Sequence, residues 1–323
     1  MKISVDDKND SGIVSEFAKA IGANVRGRFT FIPESKGAGF LTGFSWGNDL
    51  RMMIRNYYLK ENVVVAWKNE AVVENENIVF LLTGIFPSPL NPNEKLVPEQ
   101  ANMMICKQGL ISIIDMPSNT MFGSVTIRAS RQYLHQIFGN IDHPIVTSIL
   151  EAKGNFVFES VLSAQILNVA GDFIQEPVAE YLEKHYYKLK CEELLCYIFT
   201  ILMQRETVPS NSMHIDDIKA IYAIKSRLQS QLDKPPNIAF QAREAGMSEP
   251  KLRKLFKQTF GKGVFEYFQS LRMQEAARLL KEMRLTVSEV GYRLGFTNMS
   301  HFTRVFEQHT GVKPKKYSGT NQI

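Results

Sequence analysis

No run of about eighteen consecutive apolar residues occurs in this 323-residue chain, so no membrane-spanning helix is expected. The opening stretch, MKISVDDKNDSG, has no apolar leader, and the expected location is the cytoplasm, away from membranes. There are only three cysteines, Cys106, Cys191 and Cys196. They sit among apolar residues, without zinc-ligand companions and with an odd one left over for any disulfide scheme, so they read as small buried hydrophobes. Histidine is scarce too: the first is His135, and His143, His185, His214 and His309 are scattered in the manner of caps or surface residues. Residues 1–205 show no nucleophile–base pair, metal cluster or phosphate-cradling glycine loop. The expectation is a protein that is not an enzyme and holds neither metal nor cofactor.

What the chain does have is an uneven charge. The net charge of +5 hides a basic end: from His214 onward there are 19 Lys and Arg against 10 Asp and Glu, and the preceding 213 residues hold 19 against 23. A small basic domain on a slightly acidic one is the footprint of a polyanion binder. The change of sign follows the Pro-, Ser- and Asn-rich segment 206–213. We therefore expect a domain over 1–205, a linker over 206–213 and a second domain over 214–323.

The first domain reads as strands and then helices. RGRFTFI, AGFLTGFSW, LRMMIRNYYL, NVVVAWK, NIVFLLTGIF, NMMICKQGLISIIDM and FGSVTIRA are short β-branched and aromatic runs broken by Gly, Asn and Pro, which fits an antiparallel sandwich or barrel. From Ser130 the spacing becomes helical. Leu194, Leu195, Ile198, Phe199, Ile201 and Leu202 give a broad apolar face that can cover the strands or a second subunit. Beyond the linker every segment reads as helix or tight turn, giving an α+β multidomain chain with an all-α C-terminal part.

That all-α part repeats itself. Units 237–261 and 286–311 align Ala242 with Gly291 and Gly246 with Gly295, then Leu252 with Phe302, Phe256 with Phe306 and Gly261 with Gly311. In each, a glycine closes a short helix where the backbone turns left-handed, and a polar residue, Ser248 or Thr297/Asn298, opens the next. Thr286 and Glu289 have capping-box spacing. Once Leu252, Leu255 and Phe256, or Phe302, Val305 and Phe306, are assigned to packing, the outward residues are Pro250, Lys251, Arg253 and Lys254 in the first unit. In the second they are Met299, Ser300, His301 and Arg304. Such a helix fits a DNA major groove, its first residues at base edges and its cations on phosphates. A helix from Phe265 to Lys281, roughly 25 Å at 1.5 Å per residue, joins the units and would hold two such helices about one duplex turn apart.

AREAGMSEPKLRKLFKQTFG, YFQSLRMQEAARLL and TVSEVGYRLGFTNMSHFTRVFEQHTGVKPKKY resemble the DNA-binding domain of AraC/XylS-type transcription regulators, and Pro314 to Tyr317 matches the family's Pro-x-x-Tyr closure. Gln241, where the family usually has an apolar residue, and Pro250 at the head of the first recognition helix depart from the pattern. The resemblance implies a bacterial regulator, an activator meeting double-stranded DNA and RNA polymerase. It also implies an N-terminal cupin-like barrel with helices that binds a small-molecule effector and forms a homodimer. GFSWGNDLRMMIRNYYL is similar to the subgroup controlling siderophore uptake. By alternation, Phe40, Thr42, Phe44 and Trp46 share one strand face, and Arg51, Met53, Arg55 and Tyr57 share another. Trp46, Arg51, Arg55 and Tyr57 are the candidate effector contacts, suited to an apolar acid or an aromatic ligand, and the other reading has the aromatics filling the core and the two arginines facing water. Two rival readings are an enzymatic barrel tethered to a DNA-targeting domain and a ligand-independent architectural DNA binder.

Overall fold

The computed structural model describes residues 1–5, 12–67, 77–86, 96–110, 113–175, 178–206, 213–282 and 285–319. The chain divides into two compact units, Met1–Ser212 and Met213–Ile323. Of the expected linker, 207–212 lies outside the described residues. The β-rich first part with helices and the helical second part make the expected α+β architecture.

The first unit opens with β1 (Lys2–Val5), α1 (Gly12–Ile21), β2 (Asn24–Arg26) and β3 (Phe29–Phe31), followed by β4 (Gly37–Trp46), β5 (Leu50–Leu59) and β6 (Val63–Trp67). After these come β7 (Asn77–Thr83), β8 (Val97–Pro98), β9 (Asn102–Lys107), β10 (Ile113–Met116) and β11 (Thr120–Ser130). The larger sheet runs β12-β9-β7-β11-β5-β4-β3-β2, where β12 is Val157–Ser160, and β8 pairs with β11 outside that path. A smaller sheet, β1-β6-β10, joins β1 to β6 in parallel. Four helices complete the unit: α2 (Arg131–Phe138), α3 (Pro144–Leu150), α4 (Ala164–Gln175) and α5 (Glu180–Met203).

Alternation gives the larger sheet two different faces. Leu50, Met52 and Ile54 of β5 join Ile78, Phe80 and Leu82 of β7 and Val125, Ile127 and Ala129 of β11 on one face. There Leu194, Leu195, Ile198, Phe199 and Leu202 of α5 cover them. On the other face, Tyr57, Leu59 and Phe122 pack under the smaller sheet and α1 through Ile3, Phe17, Ile21, Val63 and Val65. Of the two coverings open to the α5 stripe, strands or a second subunit, the strands take it. The opposite side of α5 leaves Leu182 at 49% and Leu189 at 52% exposure. Cys106 and Cys191 are buried as expected, but Cys196 is exposed. It follows Leu182 and Leu189 at seven-residue intervals on the outer side of α5, so its helical phase overrides its apolar neighbours in sequence.

The second unit comprises α6 (Ile215–Ser230), α7 (Ile238–Glu244), α8 (Glu249–Phe260), α9 (Val264–Glu282), α10 (Val287–Arg293), α11 (Met299–Thr310) and α12 (Pro314–Gly319). Ile218, Ile221 and Leu228 of α6, Ala242 of α7, Leu252 and Phe256 of α8 and Phe268 of α9 are buried around the first helix pair. Around the second pair, Met273, Ala276, Leu279 and Leu280 of α9 pack with Val290, Leu294, Phe296, Phe302 and Phe306, closed by Tyr317. Leu232, from the α6–α7 connection, also packs into this second core.

Candidate nucleic-acid interface

Each helix pair is set by its caps. Asn237 Oδ1 accepts from the Phe240 amide at 3.0 Å at the start of α7, and Ser248 Oγ accepts from Lys251 N at 3.4 Å at the start of α8. In the second pair the capping box is complete: Thr286 Oγ1 accepts from Glu289 N at 3.2 Å, and Thr286 N donates to Glu289 Oε2 at 2.7 Å. These bonds hold the Glu289 carboxyl below its usual range. Of the two polar residues that could open α11, Asn298 is the cap and accepts from His301 N at 3.0 Å. Gly246 and Gly295 have φ of 63° and 75°, the left-handed turn that brings the second helix of each pair back across the first. Close approach is enforced at Gly291, where a Cβ would lie 2.6 Å from Met299 Sδ.

Pro250 does not restrict the head of α8. It occupies the first helical turn, where its missing N–H costs no intrahelical bond, and Glu249 begins the helix ahead of it. Gln241 is buried although polar, and its Oε1 has no hydrogen-bond partner.

Seven of the eight expected DNA contacts are exposed at the N-terminal ends of α8 and α11: Pro250, Lys251, Arg253, Lys254, Ser300, His301 and Arg304. Met299 is half-buried against the second core, so it packs the helix pair together. The two helices differ electrically. On α8, Lys251 Nζ donates to Asp217 Oδ1 of α6 at 2.8 Å, and Arg253 is held by Glu249 of its own helix, Nε to Oε1 at 2.9 Å. Lys254 and Arg304, which align in the repeat, form no ion pair among the described residues.

The family model described as "Helix-turn-helix domain" matches residues 241–319, the span of these two helix pairs. Residues 241–319 are a helix-turn-helix domain. Among relatives of this chain, the HTH-type transcriptional regulator GlxA of Rhizobium meliloti is 29% identical over 89 residues, 28% of each chain. The HTH-type transcriptional activator RhaR of Cronobacter sakazakii is 28% identical over 124 residues, 38% of this chain and 44% of that one. The chain thus spans less than half the length of these curated relatives. A solved structure of unsaturated fatty acid bound ToxT from Vibrio cholerae is similar with a TM-score of 0.32 at 15% identity, covering 85% of this chain and 96% of that one.

The four expected effector contacts do not converge in the first unit. Trp46 pairs with Leu50 across β4 and β5 and so shares the helix-covered face. Its indole Nε1 donates to Lys184 O of α5 at 2.8 Å, and its ring stacks on Phe44. Arg51, Arg55 and Tyr57 point the other way. Arg55, only 5% exposed, donates from Nε to Ser124 Oγ at 2.8 Å. It also lowers the Glu99 carboxyl, although burial is the larger effect and leaves that carboxyl raised overall. Tyr57 is sealed between Phe17 and Phe122 with its hydroxyl on Met116 Sδ. Arg51 stands opposite Arg128 of β11 and is half-buried.

Sequence reading missed the partner of α5 in this region. Arg28, just before β3, forks onto Glu183 with Nε to Oε2 at 2.9 Å and Nη2 to Oε1 at 2.6 Å. Its guanidinium also lies 4.2 Å from the Phe29 ring centroid and 4.6 Å from that of Phe44. Nothing local in the sequence links positions 155 residues apart.

Proposed function

We propose that this chain is a sequence-specific, DNA-binding transcription regulator that activates in response to a small molecule and works as a homodimer in the cytoplasm. The observation that carries the reading is the pair of capped recognition helices, α8 and α11, packed on the same helix α9 with exposed polar and cationic residues at their N-terminal ends. Two recognition helices on one polypeptide fit two successive major grooves, about 34 Å apart along a duplex. Arg253, Lys254, Ser300, His301 and Arg304 carry the contacts to bases and phosphates, with Pro250 at the head of α8 and Lys251 beside it, paired with Asp217. Met299 serves as their packing support. RNA polymerase is the further partner that activation requires.

For the effector, the half-buried Arg51 on the β5 face opposite Trp46 supports a small carboxylic acid, with Met53 and Leu81 alongside as apolar surface. Arg55 and Tyr57 shape that face from within the core. Trp46 acts on the other side, as the tie between β4 and α5. For the dimer, the outer line Leu182, Leu189 and Cys196 on α5 supports a helix-to-helix contact.

The experiment is selection of genomic fragments by the full chain, followed by competition with random duplex at about 0.15 M salt. A preference of about a thousandfold or more for the selected fragments is expected of a specific regulator. Equal competition by random duplex overturns the reading. Thermal shift of the full chain against a panel of aliphatic and aromatic carboxylic acids tests the effector.

A further inference from the structure

We propose that Asp217 restrains the first recognition helix by holding Lys251 in an internal ion pair, so that α8 meets DNA with one fewer phosphate-binding cation than its sequence offers. This rests on the DNA-binding reading above.

Lys251 sits in the first turn of α8, where its own N–H is tied to the Ser248 cap. Side chains there face the groove in a docked helix-turn-helix. Yet Lys251 Nζ reaches back to Asp217 Oδ1 at 2.8 Å, across from α8 to α6. The Asp217 side chain is only 19% exposed, which separates this pair from its neighbour on the same helix. Arg253 and Glu249 are both well exposed and four residues apart, a solvated pair that exchanges readily for a phosphate. Asp217 is anchored by a different helix and screened less by solvent, so a phosphate must compete with a carboxylate already in place. The second helix pair has no such restraint among the described residues: the residue aligned with Lys251 is His301, which lies against the Phe296 ring, and Arg304 has no acidic partner there. The repeat is thus electrically lopsided. The second helix pair grips at full strength, and Asp217 sets how firmly the first pair follows.

The consequence can be read in salt dependence. Each cation that neutralises a phosphate adds about 0.9 to the slope of log affinity against log salt concentration. Binding of the full chain to a duplex recovered by selection is measured between 50 and 200 mM salt for the wild type and for Asp217→Asn. Asp216→Asn serves as the control, because it makes the same charge change one residue away on an exposed side chain that contacts His214. Asp217→Asn is expected to raise affinity several-fold at low salt and to steepen the slope by about one phosphate contact, with Asp216→Asn close to wild type. Lys251→Gln is expected to leave the wild-type slope unchanged and to abolish the steepening in the Asp217→Asn background. That second comparison guards against a trivial loss of α6 stability, which would weaken binding rather than strengthen it. Equal slopes for the two Asn variants, or a flatter slope for Lys251→Gln alone, overturn the proposal while leaving DNA binding intact. Failure of the wild type to prefer any duplex overturns the DNA-binding reading itself.

Discussion

The guanidinium of Arg272 caps the end of α10: Nε and Nη2 both donate to the Leu294 carbonyl, at 3.0 and 2.6 Å, and its Cζ lies 3.7 Å from the Phe296 ring centroid. Leu294 and Phe296 flank Gly295, so the connecting helix grips the turn of the second unit directly. Burial lowers the Arg272 pKa, and the carbonyl fork offsets the lost hydration. Arg272→Ala is expected to destabilise the domain by about 1–3 kcal/mol, because a half-buried acceptor loses its donor. Arg272→Lys recovers only part of this, since an ammonium cannot reproduce the planar fork or the stack. Urea titration of the three chains checks the order. Equal midpoints would remove Arg272 from the bracing of the turn.

The aligned turn glycines Gly246 and Gly295 are predicted to respond unequally to Ala. At Gly246 there is open space, so Gly246→Ala costs only the left-handed backbone penalty of about 1–2 kcal/mol. A Cβ on Gly295 would land on the Asp233 carbonyl oxygen, in addition to the same φ penalty. Gly295→Ala should therefore have a clearly lower unfolding midpoint than Gly246→Ala. Matching midpoints would mean that the α6–α7 connection does not press on this turn.

Arg304→Ala is expected to weaken binding to a selected duplex by about 1–3 kcal/mol, with Lys254→Ala showing a smaller loss that is uniform across sequences. Met299→Leu keeps volume and packing and should bind as the wild type does. Electrophoretic shifts on the selected duplex and on random duplex rank all three. A large loss with Met299→Leu would put that side chain at the DNA instead of in the core.

Leu189→Asp, on the outer line of α5, is expected to shift the chain toward monomer in sedimentation, and Leu182→Asp likewise. Thiol labelling gives an independent readout. Burial pushes the Cys106 thiol up to about 12 and raises Cys191 as well, so neither should react until the chain unfolds. Cys196 is exposed and should react in the folded chain, more slowly as protein concentration rises and the outer line is covered. Concentration-independent labelling of Cys196 would argue against α5 as the contact.

The repeat in the C-terminal domain was readable because its signals are local. A glycine at each left-handed turn, a polar cap three residues ahead of the amide that donates to it and apolar spacing on one helix face all lie within a few residues of one another. Met299, by contrast, reads as an outward residue, and only the fold sets it against Gly291. The partners of those helices were not readable either. Lys251 reads as a free groove-facing cation until α6 brings Asp217 to it from 34 positions earlier. Facing on the strands was half legible: alternation groups Phe44 with Trp46 and Arg51 with Arg55. Which group faces which core depends on the β4–β5 pairing, and Trp46 opposite Leu50 puts Arg51 on the far side. Cys196 shows the converse error, where apolar neighbours in sequence outweighed helical phase.

Leu232 belongs by sequence to the run-up to the first helix-turn-helix, yet its side chain packs in the core of the second. The two motifs are therefore not interchangeable cassettes. Excising or transplanting either one would strip a hydrophobic contact from the other. A change in operator spacing would have to be met by the whole bundle and could not be absorbed by slack between its halves.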